Sequence, residues 1–144
     1  MADKQSIAGA PIAAEANAKT KAIAAANPAA TQAAATVCGS SYKLIHAERL
    51  PERAIRWGTL FAFSNGGVGP NDTICAIFDN NTDVARHMKL QICNNSTSPR
   101  CQTDEGVFKQ YAGPVRMDDC PVITAVMLTA DGSMAINARR DFCR

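Results

Sequence analysis

Trp57-Gly58-Thr59-Leu60-Phe61-Ala62-Phe63 is the stretch on which the fold reading turns. Side chains of an extended chain alternate between two faces, so Trp57, Thr59, Phe61 and Phe63 share one face and mark a half-buried strand. Working outward, strand-like runs fall near 42–49, 54–63, 73–79, 86–93, 107–117, 121–130 and 133–141. Turn residues punctuate them at Pro51-Glu52, Asn65-Gly66-Gly67, Gly69-Pro70-Asn71-Asp72, Asn80-Asn81, Ser98-Pro99 and Asp131-Gly132. Asp131-Gly132 reads as a two-residue type I′ hairpin turn between Leu128 and Met134. About seven short strands without long crossover helices predict an all-β fold, an antiparallel β-sandwich or barrel.

The 144-residue chain divides unevenly around that core. Residues 1–37 hold 16 alanines, no aromatic residue and no cysteine, whereas 38–144 hold every aromatic and all 6 cysteines. Burial contributes roughly 25 cal/mol per Å² of apolar surface, and alanine offers little of it. The expected organisation is therefore an Ala-rich arm and linker over 1–37 and a disulfide-stabilised β domain over 38–144. Within the arm, Ala10-Pro11 to Asn27-Pro28 reads as a helix. Pro11 suits its first turn, Glu15 and Lys19 stand at i,i+4, and Asn27-Pro28 supplies a stop. Residues 28–37 read as a linker. A lone helix of this length is marginal in water, so the arm is expected to be helical or disordered, and its deletion to leave the domain folded.

Cys38, Cys75, Cys93, Cys101, Cys120 and Cys143 form an even set with no two closer than eight positions. Zinc sites bring cysteines in closer pairs with histidines at matching spacing, whereas His46 and His87 stand apart, so no metal and no cofactor is expected. Disulfides imply an oxidising compartment. Six cysteines allow about fifteen pairings. The expected set is Cys93–Cys101 across a short polar loop, Cys75–Cys120 between two apolar strands, and Cys38–Cys143 tying the ends. Met1-Ala-Asp-Lys lacks an apolar h-region, which fits a mature exported chain whose signal has been replaced by an initiator Met. Val37 makes Ala-Thr-Val-Cys38 a poor lipobox. No run reaches the roughly eighteen apolar residues of a membrane span.

Fifteen basic against thirteen acidic residues give a net charge of +2 without a basic block, which offers no footprint for nucleic acid. Arg139, Arg140 and Arg144 are the densest basic spot and read as a solvated terminus. No G-x-S-x-G elbow, phosphate loop or dinucleotide fingerprint is present, and both histidines read as ordinary structural or surface residues. Asp118-Asp119 and Asp104-Glu105 are adjacent carboxylates, but neighbours on a strand point to opposite faces, and both pairs read as turn residues rather than a hydrolase pair. Sequons at Asn71, Asn80, Asn94 and Asn95 read as polar turns. The expectation is a chain without an enzymatic centre.

Cys38-Gly39-Ser40-Ser41-Tyr42 opens a series of matches that continues through Gly58-Thr59-Leu60-Phe61, Ser64-Asn65-Gly66-Gly67 and Cys75-Ala76-Ile77. It ends with Tyr111-Ala112-Gly113-Pro114-Val115, Cys120 and Phe142-Cys143. Over about residues 38 to 144 the chain resembles the spore-associated protein A family of filamentous actinobacteria. The resemblance implies a small exported protein of the spore surface or culture fluid, with no catalytic residues to carry over. The alanine-rich arm and the Cys93, Cys101 pair depart from that pattern.

Two functional readings follow. The first is a non-enzymatic, secreted structural or adhesive protein whose partners are the cell wall, the spore surface or other copies of itself. The second is a secreted inhibitor or ligand-binding module acting through the disulfide-held loop 94–100. The candidate binding residues are Asn95 and Arg100 on that loop, and Tyr111 and Pro114 in the pentapeptide. There the structural reading is preferred: Gly113-Pro114 interrupts a strand at an edge or bulge while Tyr111 and Val115 pack inward.

Overall fold

A computed structural model describes residues 12–14, 16–52, 55–66 and 71–142. The described residues form helices α1 (Ala18–Ala26) and α2 (Pro28–Cys38), then strands β1 (Lys43–Pro51), β2 (Arg56–Ser64), β3 (Ile74–Asn80) and β4 (Arg86–Cys93). Strands β5 (Cys101–Phe108), β6 (Tyr111–Met117), β7 (Val122–Leu128) and β8 (Met134–Asp141) complete them. All pairings within the sheets are antiparallel, in the orders β1-β2-β3-β6 and β5-β4-β7-β8. The expected sandwich is present, with eight strands rather than seven.

The two sheets face each other across an apolar layer in which Leu60, Ala62, Phe78, Met88, Leu90, Ile92, Ile123 and Met127 are fully buried. On β4 and β7 the alternation is regular. Met88, Leu90 and Ile92 turn inward while Lys89 and Gln91 between them are half-exposed. The outer face of that sheet meets solvent, as antiparallel sheets allow.

The first sheet is different, and the deciding stretch shows why. Leu60 and Ala62 enter the layer between the sheets, so Phe61 and Phe63 point the other way, yet both are completely buried. Helices α1 and α2 cover them. Ile23, Ala24, Ala34 and Ala35 form a second apolar cluster with Leu44, Phe61, Phe63 and Ile77. The strand expected to be half-buried is thus buried on both faces, and the molecule has three layers: helical arm, first sheet, second sheet.

Alanine is a strong helix former, and its small side chain lets a helix axis approach a sheet closely. Asn17, rather than Pro11, starts α1: its side chain accepts a hydrogen bond from Thr20 N at 2.8 Å. Pro11 and Glu15 lie outside the described residues. Asn27 closes α1 with its backbone N–H bonded to Ile23 O at 3.0 Å. Pro28 then occupies the first turn of α2, where its missing N–H costs nothing. The segment expected as a linker is therefore the longer helix. Polar contacts register the arm: Ala47 N donates to the buried Thr20 Oγ1 at 3.1 Å, and Ala13 N to Leu44 O at 2.9 Å. Arg116 Nη2 donates to Val37 O and Cys38 O at 3.3 and 3.1 Å, answering the free carbonyls at the end of α2.

Disulfides corroborate this layering and correct the expected pairing. Cys93–Cys101 forms as expected, between directly opposed residues of β4 and β5. Cys38 bonds Cys75, not Cys143, because α2 lies across the first sheet and delivers Cys38 onto the outer face of β3. That bond also removes the expected Cys75–Cys120 pair. Cys120 is itself disulfide-bonded, and Cys143 lies outside the described residues.

Three local expectations change as well. The run 107–117 is two strands, β5 and β6, parted at Lys109-Gln110. Asp104-Glu105 lies within β5, not in a turn. The β7–β8 hairpin is not type I′, since Gly132 takes φ 89° while Asp131 stays out of the left-handed region. Gly132 N bonds Thr129 O at 3.0 Å and Thr129 N bonds Ser133 O at 2.8 Å. That is the three-residue hairpin in which glycine follows an ordinary turn.

Candidate functional site

Three places on this scaffold gather polar side chains into defined geometry. The first joins the edges of the two sheets. Arg140 of β8 forks onto Glu48 of β1, with Nε to Oε2 at 2.6 Å and Nη2 to Oε1 at 2.7 Å. His46 Nε2 lies 2.9 Å from the same Oε2, and its ring meets Phe142 edge-on with centroids 5.4 Å apart. Arg140 is therefore a clamp and not part of a solvated basic terminus, and Arg144 lies outside the described residues. Burial works to raise the Glu48 pKa, but hydrogen bonds from His46 and Arg140 and their charges outweigh it and hold the carboxyl at about 2. A cleft of about 280 Å³ adjoins this cluster, and among the described residues no Ser, Thr or Cys lines it. Among the described residues the Glu–His pair has no nucleophile beside it there, and the Glu48–Arg140 geometry is that of a bidentate structural ion pair.

The second place is the loop 94–100. Besides the Cys93–Cys101 bond, Asn94 N donates to Arg100 O at 2.9 Å, and Arg100 N to Asn94 Oδ1 at 2.7 Å. Asn95 N reaches Asp119 O at 3.0 Å, and Arg100 Nη2 lies 3.4 Å from Asp118 Oδ1. The loop is braced at its base while residues 95–100 are exposed. Asn94 is buried as the brace.

The third place is the start of β6, the edge strand of the first sheet. Gly113 and Pro114 together stand opposite Ile77, where the β3–β6 register shifts between Ala76 and Phe78. Gly113 has φ 110°, and a Cβ there would come within 2.8 Å of Ala76 O, so the position admits glycine alone. Its N–H donates to Asp104 Oδ2 at 2.7 Å and ties β6 to β5. Ala112 and Val115 face the inter-sheet core. Tyr111 is half-buried on the other face, packed against the cluster under the arm. It lines a cleft of about 340 Å³ with Ala34, Val37, Ile77 and Asp79.

The fold thus brings Asn95 and Arg100 together but keeps them apart from Tyr111. Arg100 meets Asp118 just beyond the C-terminal end of β6, while Tyr111 begins it, a strand length of roughly 20 Å. Pro114 lies between. Asp79 is the cleft residue that sequence reading missed, because Asp79-Asn80-Asn81 looks like the opening of a turn. Among the described residues no group of three or more His, Cys, Asp or Glu is placed to hold a metal ion. None of the described helices is long and apolar enough to cross a membrane.

Fold and sites together define a disulfide-stapled, two-sheet β protein covered on one sheet by a helical arm. Over 91 residues the chain is 32% identical to Spore-associated protein A of Streptomyces coelicolor, a match spanning 63% of this chain and 54% of that protein. This similarity supports a family relationship between the two, and the chain spans about half the length of that relative. No family model matches the chain, and no solved structure matches it.

Proposed function

We propose that this chain is a non-enzymatic protein of the cell or spore surface, secreted and acting as a structural or adhesive component of that surface. The similarity to a spore-associated protein carries this reading, and the disulfides support it, because such bonds persist in oxidising surroundings outside the cytoplasm. The cell wall, the spore surface or further copies of the chain are the partners this reading names. Nucleic acid is outside it. The test is location: fractionate a culture of the organism that makes the protein, with free thiols alkylated at lysis. Oxidised protein in spore or wall washes is the expected result. A reduced, cytosolic protein overturns the proposal.

A second reading has one specific observation in its favour. The loop 94–100 is locked at its base by a disulfide and two cross-loop hydrogen bonds, yet presents Asn95 and Arg100 outward. Such pre-organisation lowers the entropic cost of binding, as an inhibitor or ligand-binding loop requires. Capture of a protease by the immobilised chain, abolished by Arg100→Ala, would favour this reading over the first.

A further inference from the structure

The acidic side chains on the strands mostly have partners. Glu48 is clamped by Arg140, Glu105 lies 2.9 Å from His87, and Asp104 accepts from Gly113 N. Asp79 differs. Among the described residues its carboxylate makes no hydrogen bond or ion pair, although it stands on the sheet face beneath the arm.

Its surroundings explain the lack of a partner. Asp79 pairs in register with Thr59 on β2 and Tyr111 on β6. The Thr59 hydroxyl accepts from Asn81 Nδ2 at 2.9 Å and, among the described residues, makes no hydrogen bond to Asp79. The cleft of about 340 Å³ above Asp79 is walled by Ala33, Ala34, Thr36, Val37 and Ile77, and among the described residues no Lys, Arg or His lines it. Burial raises the Asp79 carboxyl from its ordinary 3.8 to about 6, as expected of an acid enclosed without a counter-charge.

We propose that this cleft binds a small organic cation, a primary ammonium carrying a short apolar group. Each requirement of such a ligand has its counterpart on the page. The carboxylate of Asp79 supplies the counter-charge. The Tyr111 ring lines the same cleft from the neighbouring strand, and aromatic rings attract ammonium groups. The alanine, valine and isoleucine walls accept the apolar portion, and the volume lies in the range of small-molecule sites. An anion finds no donor charge there, and a metal ion finds one carboxylate only. The site goes beyond the surface role and does not depend on it, because it rests on the cleft at Asp79 and Tyr111 and not on the similarity that carries that role.

The test titrates n-butylammonium chloride into the full, oxidised chain, followed by amide chemical shifts, with n-butanol and butyrate as neutral and anionic controls. Saturable shifts at Asp79, Tyr111, Ile77 and Val37 are expected with the ammonium alone. Asp79→Asn, with a well-dispersed native spectrum, should weaken binding by about tenfold or more, and Tyr111→Leu should weaken it as well. No shifts in the wild type, equal shifts with butanol, or an Asp79→Asn protein that binds within about threefold of wild type overturns the assignment. The fractionation result stands or falls separately, so failure here is distinguishable from failure of the proposed location.

Discussion

Removal of residues 1–35 is the perturbation that most severely strains this structure. It leaves Cys38 free to bond Cys75 but strips α1 and most of α2 from the first sheet. Phe61, Phe63, Leu44 and Ile77, now at most 1% exposed, would face water together with Ala47. Full burial of one such side chain contributes about 1.5–3 kcal/mol, so four of them represent roughly 6–12 kcal/mol before the entropy of ordering the arm is set against it. Domains of this size are stable by only about 5–15 kcal/mol in total. The truncated chain should therefore melt more than about 10 °C below the full chain, or associate through the bared face. Calorimetry, dye binding to exposed apolar surface and sedimentation velocity read the three consequences. A monomeric truncated protein that melts within a few degrees of the parent and binds no dye would refute the three-layer account and restore a self-sufficient domain over 38–144.

Other outcomes follow from individual contacts. Glu48, held at about 2 against an ordinary 4.5, is favoured in its charged form by the fold. Its contribution of roughly 3 kcal/mol should be present above about pH 4.5 and lost as pH falls toward 2. Glu48→Gln should flatten that acid limb and destabilise the neutral protein, which urea unfolding across pH 2–7 checks. Asp79, raised to about 6, has the opposite sign: its contribution is complete below about pH 3.8 and lost as pH rises through 6. Asp79→Asn should therefore stabilise the protein by roughly 1–2 kcal/mol at pH 7.5, the figure being reduced for partial exposure. A destabilised variant would show that the carboxylate has a structural partner. A non-reducing peptide map should return Cys38–Cys75 and Cys93–Cys101. With closed separations of 37 and 8 residues, removing them should cost about 4 and about 2.5 kcal/mol respectively in the chain-entropy model.

The strands with large apolar side chains were legible because alternation and turn residues mark them, and six of the eight run near their expected positions. Strand β5 was not. Gln102-Thr103-Asp104-Glu105 carries no apolar face, and this edge strand exists because its backbone pairs with β4 along its whole length. The arm is helical, one of the two forms expected of it, but its burial against the first sheet was not legible for a related reason. Burial was inferred from side-chain size, but α2 is buried through Ala34 and Ala35, whose value lies in close approach. One signal was present: Leu60-Phe61-Ala62-Phe63 is apolar at every position, a pattern of strands covered on both faces. The Cys38–Cys75 pairing followed from the same missed layer. Of the candidate sites, Asn95 and Arg100 were recognisable from the short spacing of Cys93 and Cys101. Tyr111 was visible, but Asp79 acquires its meaning only from the register that places the two side by side.

The central claim, a surface protein without catalysis, is tested most directly by adhesion. Purified, oxidised full chain is incubated with washed spores and with wall preparations from the organism that makes it, and the bound fraction is measured against concentration. Saturable binding that is lost after reduction of the disulfides is the predicted result. Equal retention on unrelated particles, or no retention beside rapid turnover of a test substrate by the same preparation, would contradict it.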